Sequence, residues 1–98
     1  MRTRFLEPAQ AEVDEAARYF DEQRPGLGDR FEHDLQDAVA FVTERPLSGK
    51  RLTENIRQVG LRTFRYNVIY AIDGEELIIV AVAHHRRRPG YWLGRIAR

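Results

Sequence analysis

The spacing of apolar residues changes once along this chain, and that change constrains the fold more than any other feature. From Ala9 to Val42, apolar residues recur every three or four positions, which is typical of amphipathic helices. From Ile56 to Ala83 they alternate or run together, which is typical of strands. A helical N-terminal part followed by a strand-forming C-terminal part predicts an α+β fold.

The helical part divides into two helices at a Pro25-Gly26 turn. Pro8 suits the first turn of the first helix, and the second pattern stops before Pro46. Each helix carries one apolar stripe, so we expect an antiparallel helical hairpin. The first stripe is Ala9, Val13, Ala16, Ala17 and Phe20, and the second is Leu27, Phe31, Leu35, Ala38, Val39 and Val42.

The strand-forming part predicts a small antiparallel sheet. Thr63 to Ile72 alternates clearly, Asp73-Gly74 forms a hairpin turn, and Leu77 to Ala83 is apolar on both faces, as in a central strand. Ile56 to Arg62 is an imperfect strand, and Thr3 to Leu6 is a short one before the first helix. The order is therefore β-α-α-β-β-β with a possible short C-terminal helix. One stripe per helix means that the hairpin covers one face of the sheet, leaving the other to solvent or a partner.

Length and composition narrow the protein class. A chain of 98 residues corresponds to a single domain, residues 1–98. The absence of cysteine excludes disulfide scaffolds, cysteine-bound zinc and thiol catalysis. The longest apolar run has seven residues, far short of the roughly 20 of a membrane helix, and the N-terminus lacks a signal-peptide pattern. We expect a soluble cytoplasmic protein without membrane contact.

No cofactor or metal site is expected. His33 has Asp29 and Asp37 at four-residue spacings, which is a candidate metal-ligand pattern. All three residues lie off the apolar stripe of the second helix, so a solvated helix face explains them better.

Charge is distributed unevenly. Residues 1–44 hold 11 acids and 5 arginines, whereas residues 45–98 hold 4 acids and 11 basic residues. All but one of the 16 basic residues are arginines, whose planar guanidinium groups bind phosphates and carboxylates through paired hydrogen bonds. The C-terminal half therefore favours an anionic partner.

The segment from His84 to Trp92 carries the strongest functional signal. It directly follows the predicted central strand and combines two imidazoles, three adjacent guanidinium groups and two aromatic rings. Arg65 on the neighbouring strand has the parity opposite to Tyr66, so we expect it on the open face of the sheet, in a basic concavity. Alternation predicts that His84 and His85 point to opposite faces of the sheet, but it does not decide which of them faces the open side. The candidate target-binding residues are Arg62, Arg65, His84, Arg87, Arg88, Tyr91 and Trp92.

From about Phe5 to Trp92, the chain resembles the RelE/ParE superfamily of bacterial type II toxins. The first helix (Leu6 to Phe20), Arg30-Phe-Glu with Leu35, and the helix end Glu44-Arg-Pro46 contribute unspecific similarity. The pairing of Phe64-Arg-Tyr-Asn-Val-Ile-Tyr70 with Val82-Ala-His-His-Arg-Arg-Arg-Pro-Gly-Tyr-Trp92 is more specific. This tail is more similar to the ParE branch than to the RelE branch.

The resemblance implies a RelE/ParE-like fold and a toxin neutralised by a cognate acidic antitoxin similar to ParD. For ParE relatives the implied target is DNA gyrase, and for RelE relatives it is messenger RNA cut on the ribosome. A third reading is an inactive member that only binds an antitoxin.

The residues favour gyrase binding over RNA cleavage. Attack by a 2′-hydroxyl on a phosphate needs a base, an acid and cations for the developing charge. RelE-type enzymes use lysines, arginines and a tyrosine, but Lys50 is the only lysine here and lies in a predicted loop. Gyrase binding needs a surface and no catalytic set. If the chain is a ribonuclease, the candidate catalytic residues are Arg65, His84, Arg87 and Tyr91, with Glu54 as a further acid.

Overall fold

The computed structural model describes residues 1–96 and confirms the predicted α+β fold, including the helical hairpin and the short C-terminal helix. Neither of the two long helices in this part of the chain combines the length and apolarity that crossing a bilayer requires. The elements are β1 (Arg2–Phe5), α1 (Glu7–Gln23), α2 (Leu27–Glu44), β2 (Lys50–Arg51), β3 (Ile56–Gly60), β4 (Tyr66–Asp73), β5 (Glu76–His84) and a 3₁₀ helix (Leu93–Arg95).

The two helices pack closely where α2 begins. Gly26 adopts a left-handed φ of 89°, which turns the chain back after α1. The N–H of Gly28 donates to Oδ1 of Asp21 at 2.8 Å. A Cβ atom at Gly28 would collide with the carbonyl oxygen of Ala17, so this approach of the helix backbones requires glycine.

The sheet has the order β1-β5-β4-β3-β2, with β5 and β4 at its centre. β2, β3, β4 and β5 are antiparallel, as predicted, but β1 pairs with β5 in parallel. The sheet is therefore mixed. The helical hairpin and three strands separate β1 from β5 in the sequence, so no hairpin turn fixes their relative direction. The two-residue strand β2 was not expected.

The helices cover one face of the sheet and form the first core with it. Phe31, Val42, Tyr70, Leu77 and Ile79 are all fully buried there. An aromatic group at one end of this core has ring-centroid separations of 4.8 to 5.9 Å. Its members are Phe20, Phe31, Phe64 and Tyr66. The predicted helix-facing parity of Phe64 and Tyr66 is thus confirmed, although β4 begins at Tyr66 rather than Thr63.

The opposite face of the sheet was expected to be open, but in the structure it is partly covered. Residues 85–96, here called the C-terminal strap, cross part of it, and Trp92 is only 5% exposed. Ile56, Ile69 and Val80 form the second core with Trp92. Tyr91 and Trp92 of the strap pack against this core, where they provide the apolar surface that covers part of the sheet.

Candidate functional site

A cationic groove of about 550 Å³ lies beside the C-terminal strap on the sheet face opposite the helices. Lys50 of β2 stands on one side, and Arg87 and Arg88 of the strap contribute to the other. Ile69 and Trp92 provide apolar lining. No aspartate or glutamate of the described chain lines this groove, so its charge suits an anionic partner.

A β-bulge in β5 sets the sheet face toward which each residue at the end of this strand points. Ile69 pairs with Ala81 and Tyr70 pairs with Ile79, so Val80 is an extra residue on β5. Val80 and Ala81 both belong to the second core, which reverses the alternation of every later residue in the strand. His84 therefore follows Val82 on the helix-facing side, and His85 follows Ala83 on the groove side.

His84 occupies the boundary between the two faces. Its ring contacts the Tyr66 ring edge-on at a centroid distance of 5.3 Å, on the helix side. Its Nδ1 accepts the Arg86 N–H at 3.1 Å. Both His84 and His85 line the groove, and the His85 N–H donates to the Arg65 carbonyl at 2.9 Å.

Glu12 of α1 fastens the C-terminal strap to the rest of the molecule. Its carboxylate accepts a 2.6 Å hydrogen bond from the Tyr91 hydroxyl and bonds from Arg95 at 2.8 and 3.0 Å. It also accepts the Val82 N–H at 2.9 Å, just after the bulge, while Arg95 donates to the Val80 carbonyl at 3.1 Å. The backbone groups around the bulge therefore gain side-chain partners, and one carboxylate joins α1, β5 and the strap.

The protonation equilibria of this cluster reflect its hydrogen bonds. Burial opposes ionisation of Glu12, but donation by Arg95, Tyr91 and the Val82 N–H outweighs it and lowers the Glu12 pKa below 4.5. Burial and the hydrogen bond to Glu12 raise the pKa of Tyr91 above its usual range. The bond to Glu12 also raises the Arg95 pKa. A Glu12 carboxylate, a neutral Tyr91 phenol and a charged Arg95 coexist at neutral pH.

Arg87 lines the groove next to Tyr91. Its guanidinium carbon lies 3.8 Å from the centroid of the Tyr91 ring, and Nη1 lies 3.8 Å from Oε2 of Glu12. The side chain is nevertheless 54% exposed, because stacking on one face leaves the other face of the guanidinium group open.

The structure brings most of the predicted site residues together. His84, Arg87, Arg88, Tyr91 and Trp92 all line the groove. Arg65 is exposed beside it, tied to His85 through its carbonyl. Arg62 lies apart, next to α2, where its backbone N–H donates to Asp34 at 3.2 Å.

Of the candidate ribonuclease residues, His84, Arg87 and Tyr91 line the groove, whereas Arg65 and Glu54 lie outside its lining. Tyr91 directs its hydroxyl to Glu12, and Glu54 is exposed in the turn between β2 and β3, outside the groove lining. Within residues 1–96, no three His, Asp or Glu side chains are grouped closely enough to hold a metal ion.

Glu12 was not among the predicted site residues, although its position in the sequence indicates a buried role. Glu12 lies three residues after Ala9 and four before Ala16, which places it within the apolar stripe of α1. An acid at such a position indicates a buried partner rather than a solvated face.

Residues 3–89 match the family described as the ParE toxin of the type II toxin–antitoxin system parDE. The chain belongs to the ParE toxin family. This membership makes it the toxin half of a two-protein system, with an antitoxin as its partner. No curated protein sequence matches the chain significantly.

Solved toxin structures share the fold of this ParE-family chain. The chromosomal ParDE system of P. aeruginosa matches with a TM-score of 0.75 at 15% identity, over 86% of this chain and 95% of that one. Isolated E. coli RelE matches with a TM-score of 0.65 at 20% identity, over 96% and 94%. An E. coli RelE mutant in complex with an antitoxin RelBc peptide gives 0.64 at 19% identity, over 99% and 95%.

Proposed function

We propose that the chain is a ParE-like inhibitor of DNA gyrase that binds its target without chemistry of its own. The observation that carries this proposal is a cationic groove that no acidic side chain of residues 1–96 lines and whose tyrosine is hydrogen-bonded to Glu12. Lys50, Arg87 and Arg88 offer positive charge to a partner. Tyr91, which also lines the groove, donates its hydroxyl hydrogen to Glu12.

The RelE-like alternative, cleavage of messenger RNA, has weaker support from these contacts. A phenol with a raised pKa that is held by a carboxylate is a poor general base at neutral pH. His84 and His85 both offer imidazoles in the groove, but Glu54, the acid of the candidate catalytic set, lies outside it. A binding function requires only the surface that the strap and β2 present.

Neutralisation by an acidic antitoxin segment follows from the same charge pattern. Carboxylates of a partly disordered segment would be attracted to the arginines and the lysine of the groove. The apolar lining around Trp92 would accommodate the aliphatic side chains of such a segment. We also propose a cytoplasmic location for the chain, because gyrase and a cognate antitoxin similar to ParD would meet it there.

A supercoiling assay with purified gyrase tests the proposal. We expect inhibition at micromolar toxin, relief by the antitoxin, and at least tenfold weaker inhibition by a Lys50→Ala/Arg88→Ala variant. Arg24→Ala, which removes an exposed charge at the end of α1, is the matched control and should inhibit like the wild type.

Two other outcomes identify the alternatives. Unimpaired supercoiling combined with cleavage of messages on translating ribosomes would replace the gyrase proposal with the RelE-like one. Unimpaired supercoiling with intact messages and antitoxin binding would indicate an inactive member.

A further inference from the structure

Leu47 is the most exposed large apolar side chain among residues 1–96, at 70%. Single exposed leucines are common on protein surfaces and need no explanation by themselves. Leu47 differs because the loop that carries it, residues 46–49 between α2 and β2, is held unusually firmly.

Tyr70 fixes both ends of this loop from the core. The Tyr70 side chain is fully buried, and its hydroxyl donates to the Pro46 carbonyl at 2.8 Å. The same hydroxyl accepts the Gly49 N–H at 3.1 Å. A Cβ atom at Gly49 would lie 2.5 Å from that hydroxyl, so glycine is required for this contact.

Arg57 and Ser48 restrain the rest of the loop. One guanidinium nitrogen of Arg57 donates to the carbonyls of Leu47 and Gly49 at 3.1 and 3.0 Å. The Ser48 N–H and hydroxyl both donate to the Arg45 carbonyl, at 3.0 and 2.7 Å. The backbone of Leu47 is thus fixed from both sides while its side chain projects into solvent.

A fixed, projecting leucine is a favourable binding anchor. Binding a mobile loop loses conformational entropy, and a loop that is already ordered avoids most of that loss. Three basic residues, Arg45, Lys50 and Arg51, surround Leu47 in the sequence. The chemistry that fits this surface is an apolar pocket rimmed by carboxylates on a protein partner.

The cationic groove needs such an extension if its partner is a protein. At about 550 Å³ it has the size of a small-molecule cavity, whereas a stable protein interface covers about 800 Å² on each partner. Lys50, on the groove wall, is three residues from Leu47, so their Cα atoms lie within about 11 Å of each other. An interface that fills the groove and extends past Lys50 toward the end of α2 would include Leu47.

We propose that Leu47 is the apolar anchor of the interface between this toxin and its protein target. The inference rests on the proposed function, because it assigns Leu47 to the partner that fills the cationic groove. Leu47 inserts into an apolar pocket of the target, and Arg45, Lys50 and Arg51 face carboxylates at the rim of that pocket.

Leu47→Ala and Leu47→Asp variants test the inference in the gyrase supercoiling assay. We expect the toxin concentration for half-maximal inhibition to rise about tenfold for L47A and further for L47D. Melting temperatures should stay within about 2 °C of the wild type, because an exposed side chain contributes little to folding. Tyr19→Ala is the matched control: Tyr19 is 53% exposed near the other end of the helical hairpin, and its loss should leave inhibition unchanged.

The outcomes separate this inference from the proposed function. If the wild type inhibits gyrase and both Leu47 variants inhibit equally well, the anchor is refuted and the gyrase proposal stands. An equal loss in Y19A and L47A would also refute the anchor, since exposed apolar area in general would then matter. A wild type that does not inhibit gyrase refutes the proposed function and the anchor with it.

Discussion

Replacing Glu12 with glutamine should release the C-terminal strap from α1 while keeping the shape of the side chain. The Glu12 side chain is 14% exposed and that of Arg95 is 18% exposed, so their ion pair at 2.8 Å is largely shielded from water. Glutamine has one acceptor oxygen where the carboxylate has two, so it can keep either the Tyr91 or the Val82 hydrogen bond but not both, and it leaves the Arg95 charge without its counterion.

The expected loss of unfolding free energy is about 2–3 kcal/mol at pH 7. Removing one partner of a fully buried ion pair costs about 3–5 kcal/mol, and the residual exposure of this pair reduces that figure. In a domain of this size, such a loss lowers the melting temperature by about 15 °C.

Tryptophan fluorescence during urea unfolding measures this effect directly. Trp92 is the only tryptophan, belongs to the strap and is buried against the sheet, so its emission reports the segment that Glu12 holds. Glu15→Gln, an exposed glutamate three residues further along α1, is the matched control and should change the unfolding free energy by less than about 0.5 kcal/mol. A loss of under 0.5 kcal/mol in E12Q itself would refute the inference that Glu12 fastens the strap.

Three further predictions follow from the same contacts. Because folding lowers the Glu12 pKa below 4.5, the contribution of Glu12 to stability is present above that pH and disappears as the pH falls through the folded-state pKa. In urea unfolding between pH 3 and 7, the free energy of unfolding should therefore fall more steeply with acid for the wild type than for E12Q. Parallel curves would contradict this. Tyr70→Phe leaves the Pro46 carbonyl and the Gly49 N–H without their buried partner. We expect a loss of about 1–3 kcal/mol in unfolding free energy and faster amide hydrogen exchange at Gly49. Unchanged exchange would count against a restrained loop. Gly28→Ala places a methyl group against the Ala17 carbonyl and should lower stability by about 1–3 kcal/mol in thermal unfolding, whereas Gly94→Ala, which meets nothing within 4 Å, should not.

The helical hairpin could be predicted because its signals are local. Pro25-Gly26 separates two apolar stripes, and the stripe residues Val13 and Phe31 are buried in the first core, as the spacing indicates. Residue spacing alone is enough to orient an amphipathic helix toward a core.

The second face of the sheet could not be predicted in the same way. Leu77 to Ala83 is apolar on both faces, so its sequence pattern does not reveal the bulge at Val80. That bulge determines the faces toward which His84 and His85 point. The burial of Trp92 depends on contacts with Ile56 and Val80, which are distant in the sequence. The sequence predicted five of the residues that line the groove, but not the strap that forms its wall.

Supercoiling of DNA by purified gyrase, titrated with the isolated chain, tests the central claim most directly. We expect inhibition at micromolar toxin that weakens at least tenfold in the Lys50→Ala/Arg88→Ala variant and stays intact in Arg24→Ala. Unimpaired supercoiling with the wild-type chain, or equal inhibition by all three proteins, would contradict the claim that the cationic groove grips gyrase.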